Sequence, residues 1–238
     1  MRIDLHCHTR VSGDSNTPFE AIPARCREQR VAVQAITDHD EIWGGQQVKA
    51  LVEEASEGED DDLTIIVGEE IMTDEGELIG LFLKERVEPG LSPEETVRQI
   101  KAQGGLVVLP HGFDPLKFFR LKPKARERIA ASIDIVETFN ARISQPRWNR
   151  AAARWAAAHG KPTSAGSDAH ALDQIGRAWV ETPRRPIHGP QDLLAALREG
   201  AAEGTWTHPL VDRLHVVWRS VRRTVRNLWE RLLAIGGK

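Results

Sequence analysis

The sequence predicts an α/β fold of parallel strands covered by helices, either closed as a β/α barrel or spread as an open doubly wound sheet. Three observations predict it. Short β-branched and apolar runs alternate with longer helical stretches over most of the 238 residues. The runs are mostly apolar along their length instead of alternating, as in strands buried on both faces. No G-x-G-x-x-G or P-loop follows the first run, which weakens the open, nucleotide-binding version.

Taken in order, the strand candidates are "RIDLH", "AVQAIT", "LTIIVG", "ELIGLFL", "GLVVLP", "DIVETF" and "TSAGS". Between the first two, "TPFEAIPARCREQR" opens with Thr-Pro and a glutamate three residues after the threonine, which reads as a helix start. Before the fifth, "SPEETVRQIKAQGG" has serine at the N-cap, proline at the first helical position, glutamate at the third and a glycine stop. Both read as crossover helices. The acidic run at 53 to 62 lacks the spacing of a calcium loop and reads as a solvated helix end and loop.

With 40% hydrophobic residues the chain can build a sizeable core, and a formal charge of −3 gives no global bias toward nucleic acid or anionic membrane. Cys7 and Cys26 are the only cysteines, so there is no disulfide framework; no basic and apolar leader opens the chain, and the expected location is the cytoplasm. No apolar run approaches the length of a transmembrane segment.

In "DLHCHT", His6 and His8 stand two apart on the first strand, so they project to one face and Cys7 to the other. Such a pair is compatible with a metal or with a hydrogen-bonded core, and the other strands decide. They end at Asp38 and His39 ("AITDHD"), Glu69 and Glu70 ("IIVGEE"), His111 ("VVLPHG"), and Asp168 and His170 ("SAGSDAH"). In a parallel barrel these ends meet on one face, where barrel active sites lie. Imidazole and carboxylate together favour zinc, iron or manganese, and so many ligands suit two or three ions better than one.

"DLHCHT", "SGDS", "ITDHD", "GEEI", "LPHGFD", "VETFNAR" and "AGSDAH", in that order, resemble the PHP (polymerase and histidinol phosphatase) domain metallophosphoesterases over roughly residues 3 to 185. The resemblance implies a distorted seven-stranded β/α (TIM-like) barrel with up to three divalent ions in its mouth. It implies His6, His8, Glu70 and Asp168 around a first ion, Glu70 and His111 at a second with Glu70 bridging, and Asp14, His39 and His170 at a third. Glu70 is preferred to Glu69 because the family's glutamate stands two places after the glycine. Glu77, before "LIG", replaces a histidine common in the family; it is either an oxygen ligand of the second ion or a solvent-facing residue. Asp38 and Asp40 flank His39, as a hydrogen-bond acceptor for a ligand histidine or as a helix cap.

No G-x-S-x-G occurs, and Cys7 faces away from the histidines, so water is the attacking group. The expected reaction is hydrolysis of a small phosphorylated metabolite, a nucleotide phosphate or cyclic phosphodiester, by a metal-bridging hydroxide. Asp168, orienting the water while ligating, and His111 are the catalytic candidates. Arg177 and Arg142 follow late strands, where a guanidinium grips phosphate or forms a surface salt bridge; Asn140 is a substrate contact or a buried turn-former. A nuclease acting on oligonucleotide ends and a catalytically weak, metal-stabilised interaction module are the alternatives.

The division expected is a barrel at 1–205 and a basic amphipathic helix at 206–238. In the latter Val211, Trp218, Val225 and Leu232 alternate with Leu214, Val221 and Leu228 opposite Arg213, Arg219, Arg222, Arg223, Arg226 and Arg231. Its stripe fits packing on the barrel or a homo-oligomer ahead of an anionic membrane or nucleic-acid partner.

Overall fold

The computed structural model describes residues 1–55 and 63–207. The chain divides into two units, Met1–Trp206 and Thr207–Lys238, and every strand and helix among the described residues lies in the first. The basic heptad pattern lies outside the described residues, as does most of the acidic run.

Nine strands form one sheet: β1 (Arg2–Asp4), β2 (Val31–Ile36), β3 (Thr64–Thr73), β4 (Gly76–Leu81), β5 (Leu106–Leu109), β6 (Ile135–Asn140), β7 (Thr163–Gly166), β8 (Ala178–Glu181) and β9 (Ala201–Gly204). Their order is β7-β6-β5-β4-β3-β2-β1-β8-β9. Past β1 and β7 the two chain segments meet: the Leu5 amide donates to the Ala165 carbonyl at 3.1 Å, Asp168 to His6 at 2.8 Å and His8 to Ala169 at 2.9 Å. The first seven strands therefore wrap into a nearly closed barrel, and β8 and β9 extend the sheet from β1. The sheet thus has two strands more than the seven expected, β8 and β9, each only four residues long.

The sheet is not all parallel. The β1–β2, β2–β3, β5–β6 and β6–β7 pairs are parallel, whereas β4 runs antiparallel to β3 and β5, and β8 to β1 and β9. Only Asp74 and Glu75 separate β3 from β4. A two-residue connection permits a hairpin and nothing else, since a parallel return needs a crossover of a dozen residues or more. Gly76 at φ +118° closes the turn.

Six helices cover the barrel: α1 (Ile22–Glu28), α2 (Trp43–Ala55), α3 (Pro93–Ala102), α4 (Pro123–Arg128), α5 (Pro146–Ala158) and α6 (Pro190–Glu199). α3 begins as read: Ser92 accepts from the Glu95 amide at 3.2 Å and Pro93 occupies the first turn. α1 starts later than read. Pro18 stays extended, a 3-10 turn follows at Phe19–Ala21, and Pro23 stands in the first turn of the helix itself. Buried apolar side chains form three clusters. One joins the strands to Leu193 and Leu197 of α6. A second packs Val107 and Val136 against Val97 and Ile100 of α3 and Ala152 and Ala156 of α5. The third sets Cys7 and Ile36 under Ile22 and Cys26 of α1 and Val48 and Val52 of α2. Among the described residues no helix is long and apolar enough to cross a membrane.

Candidate metal centre

Strand alternation sorts the polar residues before any chemistry does. Cys7 is fully buried in the cluster beneath α1 and α2, so His6 and His8 turn the other way, into the barrel mouth. On β3, Glu69 faces outward and accepts from the Val87 amide at 2.9 Å, while Glu70 faces in. Because β4 is antiparallel, its beginning, not its end, reaches the mouth; this brings Glu77 opposite Met72 and beside the cluster. His39 follows β2, His111 follows β5, Glu137 and Asn140 lie on β6, and Asp168 and His170 follow β7. His111 (φ +25°) and Asp168 (φ +51°) both hold positive φ, a conformation non-glycine residues adopt at a cost of about 1–3 kcal/mol. Strain of this kind concentrates where the surrounding structure must aim a side chain.

The innermost group is His6, His8, Glu70 and Asp168. His6 Nε2 and His8 Nε2 are 3.1 Å apart, and Glu70 Oε2 is 3.2 Å from each. Asp168 Oδ1 lies 3.8 Å from the first nitrogen and 3.6 Å from the second. Hydrogen bonds behind the rings settle what these nitrogens offer. His6 Nδ1 donates to Glu137 Oε1 at 2.9 Å, which leaves Nε2 with its lone pair. Ser12 gives its hydroxyl hydrogen to Asp38 Oδ1 at 2.7 Å, so it accepts from His8 Nδ1 at 3.0 Å, and His8 Nε2 is left the same way. With the tautomers fixed in this way four electron-pair donors converge, and a cation, a proton or a metal ion, is what satisfies them.

Glu70 reaches further. Its Oε1 lies 2.9 Å from His111 Nε2, and its Oε2 lies 3.4 Å from His39 Nδ1. Glu77 stands between those two histidines, 3.8 Å from His111 Nε2 and 3.9 Å from His39 Nδ1, and is buried instead of facing solvent. His111 Nδ1, also buried, has no hydrogen-bond partner among the described residues. On the outer side Asp14 Oδ2 is 3.1 Å from His170 Nε2 and 3.7 Å from His39 Nε2. Four overlapping sets bring their ligand atoms within 4.8 Å of one another: His6-His8-Glu70, His6-His111-Asp168, His39-Glu70-Glu77 and His8-His39-His170. The donors mix imidazole with carboxylate, ligand types that suit a metal ion.

The charges agree. Burial would lower the His6 pKa, but Glu70, Asp168 and Glu137 push it well above the ordinary range. Burial and the neighbouring His170 instead hold His8 well below it, neutral and free to ligate. Burial would raise Glu70, yet the charge of His6, then its contacts with His111, His6 and His8, hold it well below the carboxylate range. Asp168 is pulled down against its burial by Lys117 and Arg142. Burial, then repulsion from Glu70, pushes Glu77 up to about 8. The mouth gathers positive charge, whether a proton on a histidine or an ion between the ligands.

Arg142 Nη1 lies 3.3 Å from Asp168 Oδ1, and Asn140 Nδ2 donates to Asp168 Oδ2 at 3.2 Å and to Glu137 at 3.0 Å. Arg177 is held elsewhere, in an ion pair with Asp173 of 3.3 Å. Asp38 serves as the acceptor behind His8, and Asp40 Oδ1 takes the Met72 amide of β3 at 2.8 Å. Two residues escaped the reading of the sequence. Lys117 places its Nζ 2.6 Å from Asp168 Oδ2, and Glu137, between apolar neighbours in "DIVETF", orients His6 and accepts the His111 amide at 2.7 Å. The signal for Glu137 was its carboxylate in an otherwise apolar strand; Lys117 gave none.

The PHP domain family matches residues 4–134 and the PHP-associated region matches residues 146–202. Two uncharacterized proteins of Methanocaldococcus jannaschii are related in sequence. MJ1587 is 40% identical over 151 residues, 59% of this chain and 82% of that protein; MJ0417 is 30% identical over 196 residues, 81% and 75%. Among solved structures, PsfC from Pseudomonas syringae superposes with a TM-score of 0.66 at 17% identity, over 92% of this chain and 98% of that one. A two-domain protein from Bacteroides vulgatus, containing a predicted PHP-like metal-dependent phosphoesterase, gives 0.65 at 18% identity. That match takes in 86% of this chain but only 65% of the longer one. The match across more than half of the chain includes five of the strand ends that build the mouth, and the chain belongs to the PHP domain family.

Proposed function

We propose that this protein is a metal-dependent phosphoesterase that hydrolyses a small phosphorylated metabolite. The observation that carries it is the convergence of His6 Nε2, His8 Nε2, Glu70 and Asp168 with both imidazole tautomers fixed from behind. His6, His8, Glu70 and Asp168 would hold a first ion; Glu70, His111 and Glu77 a second; and Asp14, His39 and His170 a third. When bound, such ions supply Lewis-acid polarisation of a phosphoryl oxygen and an activated water.

The chain's own residues divide the remaining work. Glu137 and Ser12 keep the two inner imidazoles in one tautomer and one orientation, so the ligands need no rearrangement. Lys117 and Arg142 converge on Asp168 from the open side. There they present donors to the oxygens of an incoming phosphate, Arg142 with a planar fork and Lys117 with a point charge. Asn140 holds Asp168 Oδ2 and keeps that carboxylate aimed into the mouth. The walls are dry: His6, His8, Glu70, His111 and Asp168 are all buried, which strengthens each interaction with developing charge.

The test pairs elemental analysis of freshly purified full-length protein with hydrolysis of an aryl phosphate and its diester, with and without added manganese. Two or three ions per chain and metal-dependent turnover are expected. Asp168→Ala should lower metal content and reduce turnover by about a hundredfold or more. Full activity in that variant would overturn the site.

A further inference from the structure

We infer that the loop from Asp114 to Arg120 forms the second half of the substrate site, and that the ester carries a flat or extended apolar group on its alcohol side. The inference rests on the phosphoesterase reading and names its substrate class.

This loop is fastened to the mouth. Asp114 Oδ1 accepts the Leu116 amide at 3.0 Å and the Ser144 hydroxyl at 2.6 Å, and Oδ2 accepts the Ser144 amide at 2.6 Å. The Lys117 amide donates to the Asp114 carbonyl at 3.1 Å, and the Glu77 amide to the Phe119 carbonyl at 2.7 Å. One side of the loop is therefore tied to the turn after β6 and the other to the start of β4, beside the cluster. Lys117 points inward to Asp168. Its neighbours do the opposite: Leu116 is 65% exposed, Phe118 91% and Phe119 62%. These are three of the four large apolar side chains exposed among the described residues.

A loop whose only task is connection would be polar, and contiguous exposed apolar side chains mark a binding surface. Position and charge identify the occupant. Lys117 meets the phosphate end of the site and the Phe119 carbonyl accepts from the Glu77 amide at its edge, so the segment that carries the exposed apolar side chains borders the place where a phosphate is drawn to Lys117 and Arg142. A purely hydrophilic alcohol would leave them in water; an apolar one would cover them, and covering apolar surface is favourable in proportion to the area removed from water.

The experiment measures binding, not turnover, on the metal-loaded full chain. Phenylphosphonate and methylphosphonate are titrated by calorimetry into the wild type and into Phe118→Ser/Phe119→Ser, whose substituted side chains are exposed. The wild type should prefer the phenyl compound by about tenfold, and the double variant should bring that ratio to within about twofold. Equal affinities in the wild type would overturn the inference, as would a preference that survives the substitutions. So would an unchanged preference with loss of co-sedimentation on phosphatidylglycerol vesicles, which would make the patch a lipid contact. Phenyl phosphate turnover is read in parallel. A phenyl preference without turnover removes the hydrolytic reading and keeps the loop's role; turnover without a preference does the reverse.

Discussion

Asp4 shows how burial around the mouth is balanced at the level of one residue. It is wholly inside, with Oδ1 accepting the His6 amide at 3.2 Å and the Ser167 amide at 3.0 Å, while Oδ2 has no partner among the described residues. Burial pushes its carboxyl up to about 6, against the hydrogen bonds from Ser167 and His6. The folded state thus holds this proton more tightly than the unfolded chain does. Stability from Asp4 is fully present below the unfolded value of 3.8 and is lost as pH rises through about 6. Asp4→Asn keeps an acceptor for both amides and cannot ionise. In the presence of chelator, its stability relative to wild type should improve by about 1 kcal/mol between pH 5 and 7.5, read from urea unfolding at both values. A difference that does not change with pH would show that Asp4 does not titrate in that window. At this scale the sequence was legible where period two applied, in setting the histidines against Cys7; Glu70 was separated from Glu69 only by the resemblance, because alternation says that one of the two faces inward but not which. Lys117 was not legible, since its aim depends on Asp114 reaching Ser144, thirty positions further on.

At the scale of elements, the β3–β4 hairpin sets the geometry of the second ligand group, because Glu70 and Glu77 lie on its two arms. Seven of the nine strands read clearly as apolar runs. The direction of β4 did not, although the "TDEG" that precedes it is too short for any crossover, and the reading of "ELIGLFL" as parallel ignored connection length. β8 and β9 left no trace because four-residue strands of mixed polarity look like loops. Gly76 is the hairpin's weak point: a Cβ there would lie 2.4 Å from the Arg120 carbonyl oxygen, and the backbone sits at φ +118°. Gly76→Ala should cost about 2–4 kcal/mol and reduce bound metal by displacing Glu77. Gly90, at φ +78° but with nothing within 4 Å of its added Cβ, should cost only about 1–2 kcal/mol on the same change. Thermal unfolding of both variants separates clash from backbone strain; equal losses would remove the clash from the account.

On the scale of the whole barrel, four of the candidate ligands lie along its closing seam. His6 and His8 continue β1, Asp168 and His170 follow β7, and the amides and carbonyls between them make the contacts that bring the first and seventh strands together. An ion held by His6, His8 and Asp168 would therefore fasten two segments from opposite ends of the barrel, and its removal would be felt as loss of closure as well as of chemistry. A group that binds only the folded state stabilises it by about 2.7 kcal/mol at one hundred times its dissociation constant. For a barrel of this size that corresponds to a fall of about 5–10 °C in unfolding temperature on chelation. The loss should be local before it is global. Hydrogen exchange at Leu5, His8 and Asp168, whose amides cross the seam, should accelerate more than at Val108, which lies across the barrel in β5. Uniform acceleration would place the stabilising effect throughout the core, and unchanged exchange on metal removal would mean that the seam holds without an ion.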